Sequence, residues 1–331
     1  MPTSKDVAKR AGVSIATISR VYQSPELVKP ETRNLVLKAA AELNYYPNLS
    51  ARSLKQNKSN AIGIAVNDFT NPFFFQVIEK IHHRLEDTTY QLLTFSSSQK
   101  RDFYSNNKIS RYLCSNQIDA FLFSPYYFEK KDRQLFMNSK QYFLQLYADF
   151  YDELDSIIVD DFYGTYLATK YLLEQGHQKI LLLTTDSEIN TLRGEGYCQA
   201  YHDFMLTPDP QYIRYHSIDQ NNTEAIRSSI LQLKPTAIIS HCEVIIVSTL
   251  TALKSLNLNF PEDISFIAYD DYPWIKVMGI TAISQPIELV GNVIADTVLQ
   301  ALSDMHSAST IKQKIKPELI LRDSVKKFLS T

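Results

Sequence analysis

Cysteine is scarce in this 331-residue sequence: Cys114, Cys198 and Cys242 stand far apart, and no CxxC occurs. That spacing argues against a disulfide framework or a clustered zinc site and leaves reduced, buried thiols as the expectation. No apolar run approaches the roughly 20 residues needed to cross a bilayer. The opening stretch MPTSKDVAKRAG has none of the apolar core of a secretion signal, so a cytoplasmic chain is expected. Catalytic signatures are missing too: there is no GxSxG, no phosphate-cradling GxxxxGK followed by Ser or Thr, and no HExxH. Gly194-Glu195-Gly196 lacks the third glycine of a dinucleotide fingerprint. The seven histidines show no ligand spacing, and the adjacent His82 and His83 would leave a helix on different sides. Neither an enzyme, a metal site nor a cofactor is expected. Internal repeats and low-complexity tracts are also absent.

What is present is an uneven distribution of charge. Residues 1–60 hold ten Lys or Arg against four Asp or Glu, a balance of +6. The remainder holds 24 against 32, or −8, which sums to the net −2 of the chain. A basic head on an acidic body suits a head that meets phosphates, although a solvated basic surface would carry the same charge.

Residues 3–43 alternate short helical patterns with turn signals. Thr3 and Asp6 form a capping box ahead of the stripe Val7, Ala8 and Ala11. Gly12 breaks the pattern, and Ser14 is a good N-cap for a second helix, Ile15 to Val21, that buries Ile18 and Val21. After a polar loop, Pro30 suits the first position of a third helix running to about Leu43, with Leu35, Val36, Ala39, Ala40 and Leu43 as its buried stripe. Lys29 is a poor cap there, for which Pro30 compensates. Three short helices with a tight first turn make a small all-α helix-turn-helix domain.

Residues 47–60, PNLSARSLKQNKSN, read as a polar linker with a short helix from Leu49 to Lys55 that needs a partner to form. From Ala61 onward the pattern changes. Apolar strand-like runs at 61–66, 90–95, 118–124, 142–147, 156–159, 179–184, 236–240 and 264–269 are mostly separated by helical stretches at 72–86, 163–175, 194–206, 222–233, 244–256 and 288–304. Alternating β and α with near-continuous apolar strands predicts parallel sheets covered on both faces. About 270 residues of it predicts two α/β lobes with a ligand cleft between them.

The second helix carries the clearest chemistry. Its first residues, Ile15 and Ala16, are small and apolar, suited to thymine methyls, and Arg20 one turn on suits guanine O6 and N7. Ser14, Thr17 and Ser19 would contact phosphates and set the register. An ordinary amphipathic helix with a solvated arginine is the bland alternative.

Residues 5–14 (KDVAKRAGVS), 31–33 (ETR), 42–45 (ELNY) and 51–55 (ARSLK) resemble the head of the lac repressor/gal repressor family. The likeness continues through NPFF (71–74), Gly164 to Ala168, EQGHQKI (174–180), RGEGY (193–197), FPEDISFIAYDD (260–271) and ISQPIELVG (283–291), so it spans essentially the whole chain. It implies a head at 1–46, a hinge at 47–60 and a periplasmic-binding-protein-like (type I) body at 61–331. In that body, lobe one takes about 61–160 plus 289–318, lobe two about 161–288 plus 319–331, and three strands cross between them.

The resemblance further implies that Ser14, Ile15, Ala16, Thr17, Ser19 and Arg20 face the major groove and its phosphates. Asn48 to Lys55 would form a hinge helix in the paired protein, with Leu54 wedged into a minor-groove step, Ala51 allowing close approach and Asn48 and Lys55 beside it. Leu54 would also serve as a simple packing residue. Effector contacts are implied at Asp68, Phe73, Phe74, Arg193 and Asp270, residue types that stack on rings and orient hydroxyls. The same phenylalanines would equally serve a core or dimer interface, and Asp270 a turn.

Two departures bear on the ligand. Cys242-Glu243 stands where relatives often have Asn-Asp, and Tyr147 stands where they often have an aspartate after the fifth body strand. Both weigh against a standard hexose pose and toward a more aromatic-stacked ligand. The expected protein is a homodimeric repressor of operator DNA controlled by a small metabolite, a sugar or sugar derivative, with no membrane involvement. A regulator gated by a partner protein and a sugar-transport binding protein are the alternatives.

Overall fold

The computed structural model describes residues 2–45, 58–66, 71–96, 112–113, 115, 117–125, 133–185, 189–218, 220–303 and 309–328. The chain divides into two compact units, Met1–Ser59 and Asn60–Thr331.

Among the described residues, the first unit holds three α-helices, α1 (Ser4–Ala11), α2 (Ile15–Gln23) and α3 (Pro30–Glu42), with a 3-10 turn at Pro25–Leu27. Local chemistry sets each boundary. The backbone N–H and hydroxyl of Thr3 both donate to Asp6 Oδ2, at 2.8 and 2.7 Å, and lower the Asp6 carboxyl below its ordinary pKa. Gly12 ends α1 at φ +66°, a left-handed conformation that costs glycine least. Two residues later the Ser14 hydroxyl caps α2 by accepting from the Thr17 N–H at 3.1 Å. Lys29 provides no side-chain cap, and Pro30 occupies the first turn of α3.

Val7, Ala8, Ala11, Ile18, Val21, Val36, Ala39 and Ala40 close the core of this unit. Full burial of Ile18 and Val21 contributes roughly 1.5–3 kcal/mol each. The expected stripe on α3 needs one correction. Leu35 is 51% exposed, because the 36, 39, 40 set already fills the inward face and residue 35 lies about 100° away from residue 36 around the helix.

The second unit contains two six-stranded sheets. Its strands are β1 (Ala61–Val66), β2 (Gln91–Ser96), β3 (Ala120–Phe123), β4 (Tyr142–Leu146), β5 (Asp155–Val159), β6 (Ile180–Thr185), β7 (Ile213–His216), β8 (Ala237–Ser240), β9 (Ser265–Tyr269), β10 (Thr281–Ser284), β11 (Lys312–Ile315) and β12 (Glu318–Ile320). Among the described residues its α-helices are α4 (Pro72–Leu85), α5 (Arg133–Asn138), α6 (Asp161–Glu174), α7 (Ile189–Asp203), α8 (Thr223–Leu233), α9 (Glu243–Ser255), α10 (Pro273–Val277) and α11 (Ile287–Leu302).

The first sheet runs β11-β5-β4-β3-β1-β2 and is parallel throughout; the second runs β12-β10-β9-β8-β6-β7, with only β12 antiparallel. The chain crosses between them three times: from β5 into α6, from β10 into α11, and from β11 into β12. These crossings make the unit a two-lobed α/β body.

Single strands feed two cores at once. In β1, Ile62, Ile64 and Val66 join the cluster beneath α4 and α11, while Ala61 and Ala65 join an aromatic cluster on the opposite face. In β6, Leu181 and Leu183 pack with α8, α9 and α10, and Ile180 and Leu182 with α6 and α7. A period of two with apolar residues in both phases is what a sheet covered on both faces requires. Gly196 shows how closely the helices pack: a Cβ there would lie 2.2 Å from the Phe162 carbonyl oxygen of α6.

Candidate functional site

In the first unit, α2 leaves an unusual face uncovered. Ile15 is 47% exposed, and Ala16 and Arg20, one turn apart, are exposed beside it. The Arg20 guanidinium pairs with no described residue, whereas Arg10 is held by Glu42 at 2.6 Å. Thr17 and Ser19 are half-buried. Ser14 and Thr17 share a hydroxyl–hydroxyl bond of 2.9 Å, so Ser14 acts first as the cap. The expected hinge residues Asn48, Ala51, Leu54 and Lys55, and the expected effector contact Asp68, lie outside the described residues.

In the second unit, the lobes meet at a small, partly open cleft. Phe73, Gln76 and Ile287 line it from α4 and the start of α11, and Asp270, Asp271, Tyr272, Ser284 and Gln285 from the ends of β9 and β10. Phe73 is positioned from Asn71, whose carboxamide oxygen caps α4 by accepting from the Phe73 N–H at 3.0 Å. The rings of Phe73, Phe74 and Tyr147 meet edge to face, with centroids 5.0–5.6 Å apart. Tyr147 directly follows the fourth strand of the body, β4, and not the fifth.

Asp270 and Arg193 sit in two separate bonding sets. Asp270 accepts from Tyr272 Oη at 2.9 Å and from the Gln285 amide. Tyr272 also reaches across to Asn71 Oδ1 at 3.4 Å. Arg193, on α7, donates through Nε and one terminal nitrogen to Asp161 Oδ1, both at 2.9 Å. Tyr269 Oη donates to that same oxygen at 2.8 Å, and the guanidinium lies 4.5 Å from the Tyr269 ring centroid. Of the four expected effector residues that are described, Phe73 and Asp270 line the cleft, Phe74 backs it through Phe73, and Arg193 is engaged with Asp161.

Burial shapes the electrostatics. It pushes the Asp270 carboxyl above its ordinary pKa, against the opposing pull of the Gln285 hydrogen bond and the Arg193 charge. Burial also works against the Arg193 charge, but Asp161, with Tyr269 and Asp270, holds its pKa above the ordinary value. His241 is fully buried, with Nε2 3.3 Å from Thr165 Oγ1; burial and the Arg193 charge depress its pKa well below the usual imidazole value. Burial raises the Cys242 thiol to about 11, so it stays protonated.

Three non-glycine residues adopt positive φ at or just beyond the C-terminal ends of strands: Tyr147 (68°), Cys242 (51°) and Asp270 (82°). Strained backbone of this kind concentrates where a ligand is held. The carboxyl ends of parallel strands are also where open α/β sheets bind ligands.

Comparison with known proteins follows the same division of the chain. Residues 3–48 match the family model for bacterial regulatory proteins, lacI family, and residues 169–325 match a periplasmic binding protein-like domain. The HTH-type transcriptional repressor PurR of Vibrio vulnificus (strain CMCP6) is 30% identical over 340 residues, which cover 99% of this chain and 100% of that protein. The chain belongs to the lacI family. As a lacI-family protein it is a DNA-binding transcriptional repressor and not an enzyme.

Solved lacI-family structures share its fold. The lac repressor dimer bound to operator and the anti-inducer ONPF aligns with a TM-score of 0.83 at 25% identity, covering 98% of this chain and 99% of that one. A lacI-family regulator from Enterococcus faecium with bound ribose aligns with a TM-score of 0.71 at 22% identity, covering 81% and 100%.

Sequence reasoning missed Asp161, Tyr269, Tyr272 and Gln285. Gln285 sits inside the quoted run ISQPIELVG, so a polar residue just before a proline at a strand end was an available signal. Asp161 and Tyr269 had none, since 108 residues separate them and only the fold joins them.

Proposed function

We propose that this lacI-family repressor acts as a cytoplasmic homodimer on a pseudo-palindromic operator of roughly 14–20 base pairs, one recognition helix per half-site. In this reading Ile15, Ala16 and Arg20 read bases, Ser14, Thr17 and Ser19 set the register on phosphates, and Asn48, Ala51, Leu54 and Lys55 enter the minor groove. A sugar or sugar derivative binds between the lobes against Asp68, Phe73, Phe74, Arg193 and Asp270 and changes operator affinity. The coupling would be about 1–3 kcal/mol.

The observation that carries the DNA side is the exposure on α2 of Ile15, Ala16 and, one turn beyond Ala16, Arg20, which pairs with no described residue, while Ile18 and Val21 of the same helix are buried. Apolar side chains left in water at the start of a helix that also exposes an arginine fit a groove lined by methyls and phosphates. On the ligand side, support comes from the aromatic rings and the buried carboxylate meeting at one cleft. It also comes from the bound ribose in the Enterococcus faecium regulator.

Fluorescence anisotropy with the gene's own upstream duplex against a scrambled duplex tests this. The cognate duplex should win, and affinity should fall steeply between about 50 and 200 mM salt, as several phosphate contacts demand. Equal binding to both duplexes, with and without sugars, would refute it.

A further inference from the structure

Among the described residues, the charges around the cleft do not balance, and the imbalance bears on what the cleft can hold. Among the described residues, four carboxylates belong to this region: Asp161, Asp270, Asp271 and the half-exposed Glu243, whose charge acts on Tyr272. Arg193 is spent on Asp161, using two of its N–H groups on one oxygen. Arg322 is spent on Asp271, with its two terminal nitrogens at 2.8 and 2.9 Å from the two carboxylate oxygens, and it also bonds the Ile280 carbonyl. Lys276, more than half exposed, reaches Asp271 as well, at 3.6 Å. Asp270 is left with neutral donors only, the Tyr272 hydroxyl and the Gln285 amide, and it is 7% exposed. Among the described residues, then, the cleft holds one buried negative charge without an ion-pair partner.

The bonding capacity points the same way. A carboxylate accepts about four hydrogen bonds, and Asp270 receives two within the protein, one at each oxygen. It has room for two ligand donors. Arg193 retains further N–H groups for a ligand hydroxyl, but its ion-pair partner is Asp161 and what its charge does beyond that pair already acts on Asp270. A ligand bearing phosphate or carboxylate would set a second anion near Asp270 in a poorly screened space, with both guanidiniums already engaged.

We infer that the cleft selects an uncharged or positively charged ligand rich in hydroxyl or amine donors and refuses phosphorylated and carboxylated ones. This inference rests on the reading of the cleft as a sugar-effector site, and it specifies the charge class of that effector.

The test uses the full-length protein and matched sets: glucose, glucosamine, glucose 6-phosphate and glucuronate; the galactose equivalents; ribose and ribose 5-phosphate; and inorganic phosphate alone. Thermal shift and calorimetry give the ranking. A neutral or amino member should bind, with its phosphorylated or acidic counterpart at least about tenfold weaker. Inorganic phosphate should leave the melting temperature unchanged. Asp270→Asn should narrow the gap within a set by about tenfold, mainly by tightening the phosphorylated or acidic member.

An anionic member binding as tightly as its neutral parent, or stabilisation by phosphate alone, overturns the charge argument and leaves the sugar reading standing. If no member of any set binds, the sugar reading falls and takes this inference with it. The wild-type ranking decides the matter even where the variant fails to fold.

Discussion

The reading face of α2 and the interlobe cleft treat charge in opposite ways. On α2, Arg20 is exposed and pairs with no described residue, and the apolar Ile15 is 47% exposed. In the cleft, Arg193 is locked to Asp161 and Tyr269, and Asp270 to Tyr272 and Gln285. A surface that meets a polyanion keeps its cations free in water, where an unpaired charge costs little and counterion release drives binding. A cavity cannot do so, because an unpaired charge out of water is expensive and must be held by neighbours before any ligand arrives. The free energy of the DNA-reading face therefore resides in the complex, and that of the cleft resides largely in the fold.

This contrast predicts that equivalent losses of charge have unequal consequences. Asp161→Asn strips the partner from a buried guanidinium and should cost about 3–5 kcal/mol of stability, read as a lower urea midpoint for the full-length chain. A loss under about 1 kcal/mol would mean that Arg193 finds other partners and the cleft is less rigid than described.

Arg20→Ala should do the reverse. Stability should move by no more than about 0.5 kcal/mol. Operator affinity should fall by about 1–3 kcal/mol, with discrimination relaxed at one position per half-site. An anisotropy series over single-base operator variants checks this, and unchanged discrimination would place base reading elsewhere.

The smallest expected effect concerns protons. Burial is the leading cause that depresses His177, His216 and His241 below the ordinary imidazole value of 6.5, so each resists protonation in the fold. The unfolded chain takes up those protons as pH falls below about 6.5, so stability present above that value should be lost on acidification. His241→Gln should flatten part of that slope in melting curves taken between about pH 7.5 and 5. Asp270, with its raised pKa, opposes the trend at lower pH, which is why the difference between wild type and variant is the quantity to read.

Legibility in the sequence followed the length and apolarity of each segment. The central strands β1, β6, β8 and β9 were readable, being apolar on both faces. Four strands went unseen. β7 (IRYH) and β11 (KQKI) are edge strands whose polar residues break the pattern, β12 is three residues long, and β10 (TAIS), no shorter than β8 (AIIS), carries only one large apolar residue. On α3, the apolar content was readable but its phase was not: Leu35 looked as inward as Val36 until the other two helices took up their places.

By itself, the order of residues determined the helix caps at Thr3, Ser14 and Gly12, the basic head on an acidic body, and the alternation of strand and helix in the body. Each depends on neighbours within a few positions or on simple totals. Only the tertiary structure decided that Asp161 would hold Arg193 beneath the Tyr269 ring, that Gln285 would meet Asp270, and that Tyr147, Cys242 and Asp270 would bend into positive φ at strand ends. Those arrangements join residues far apart in the chain, and their strain and buried charge are tolerated only because packed sheets hold both sides in place.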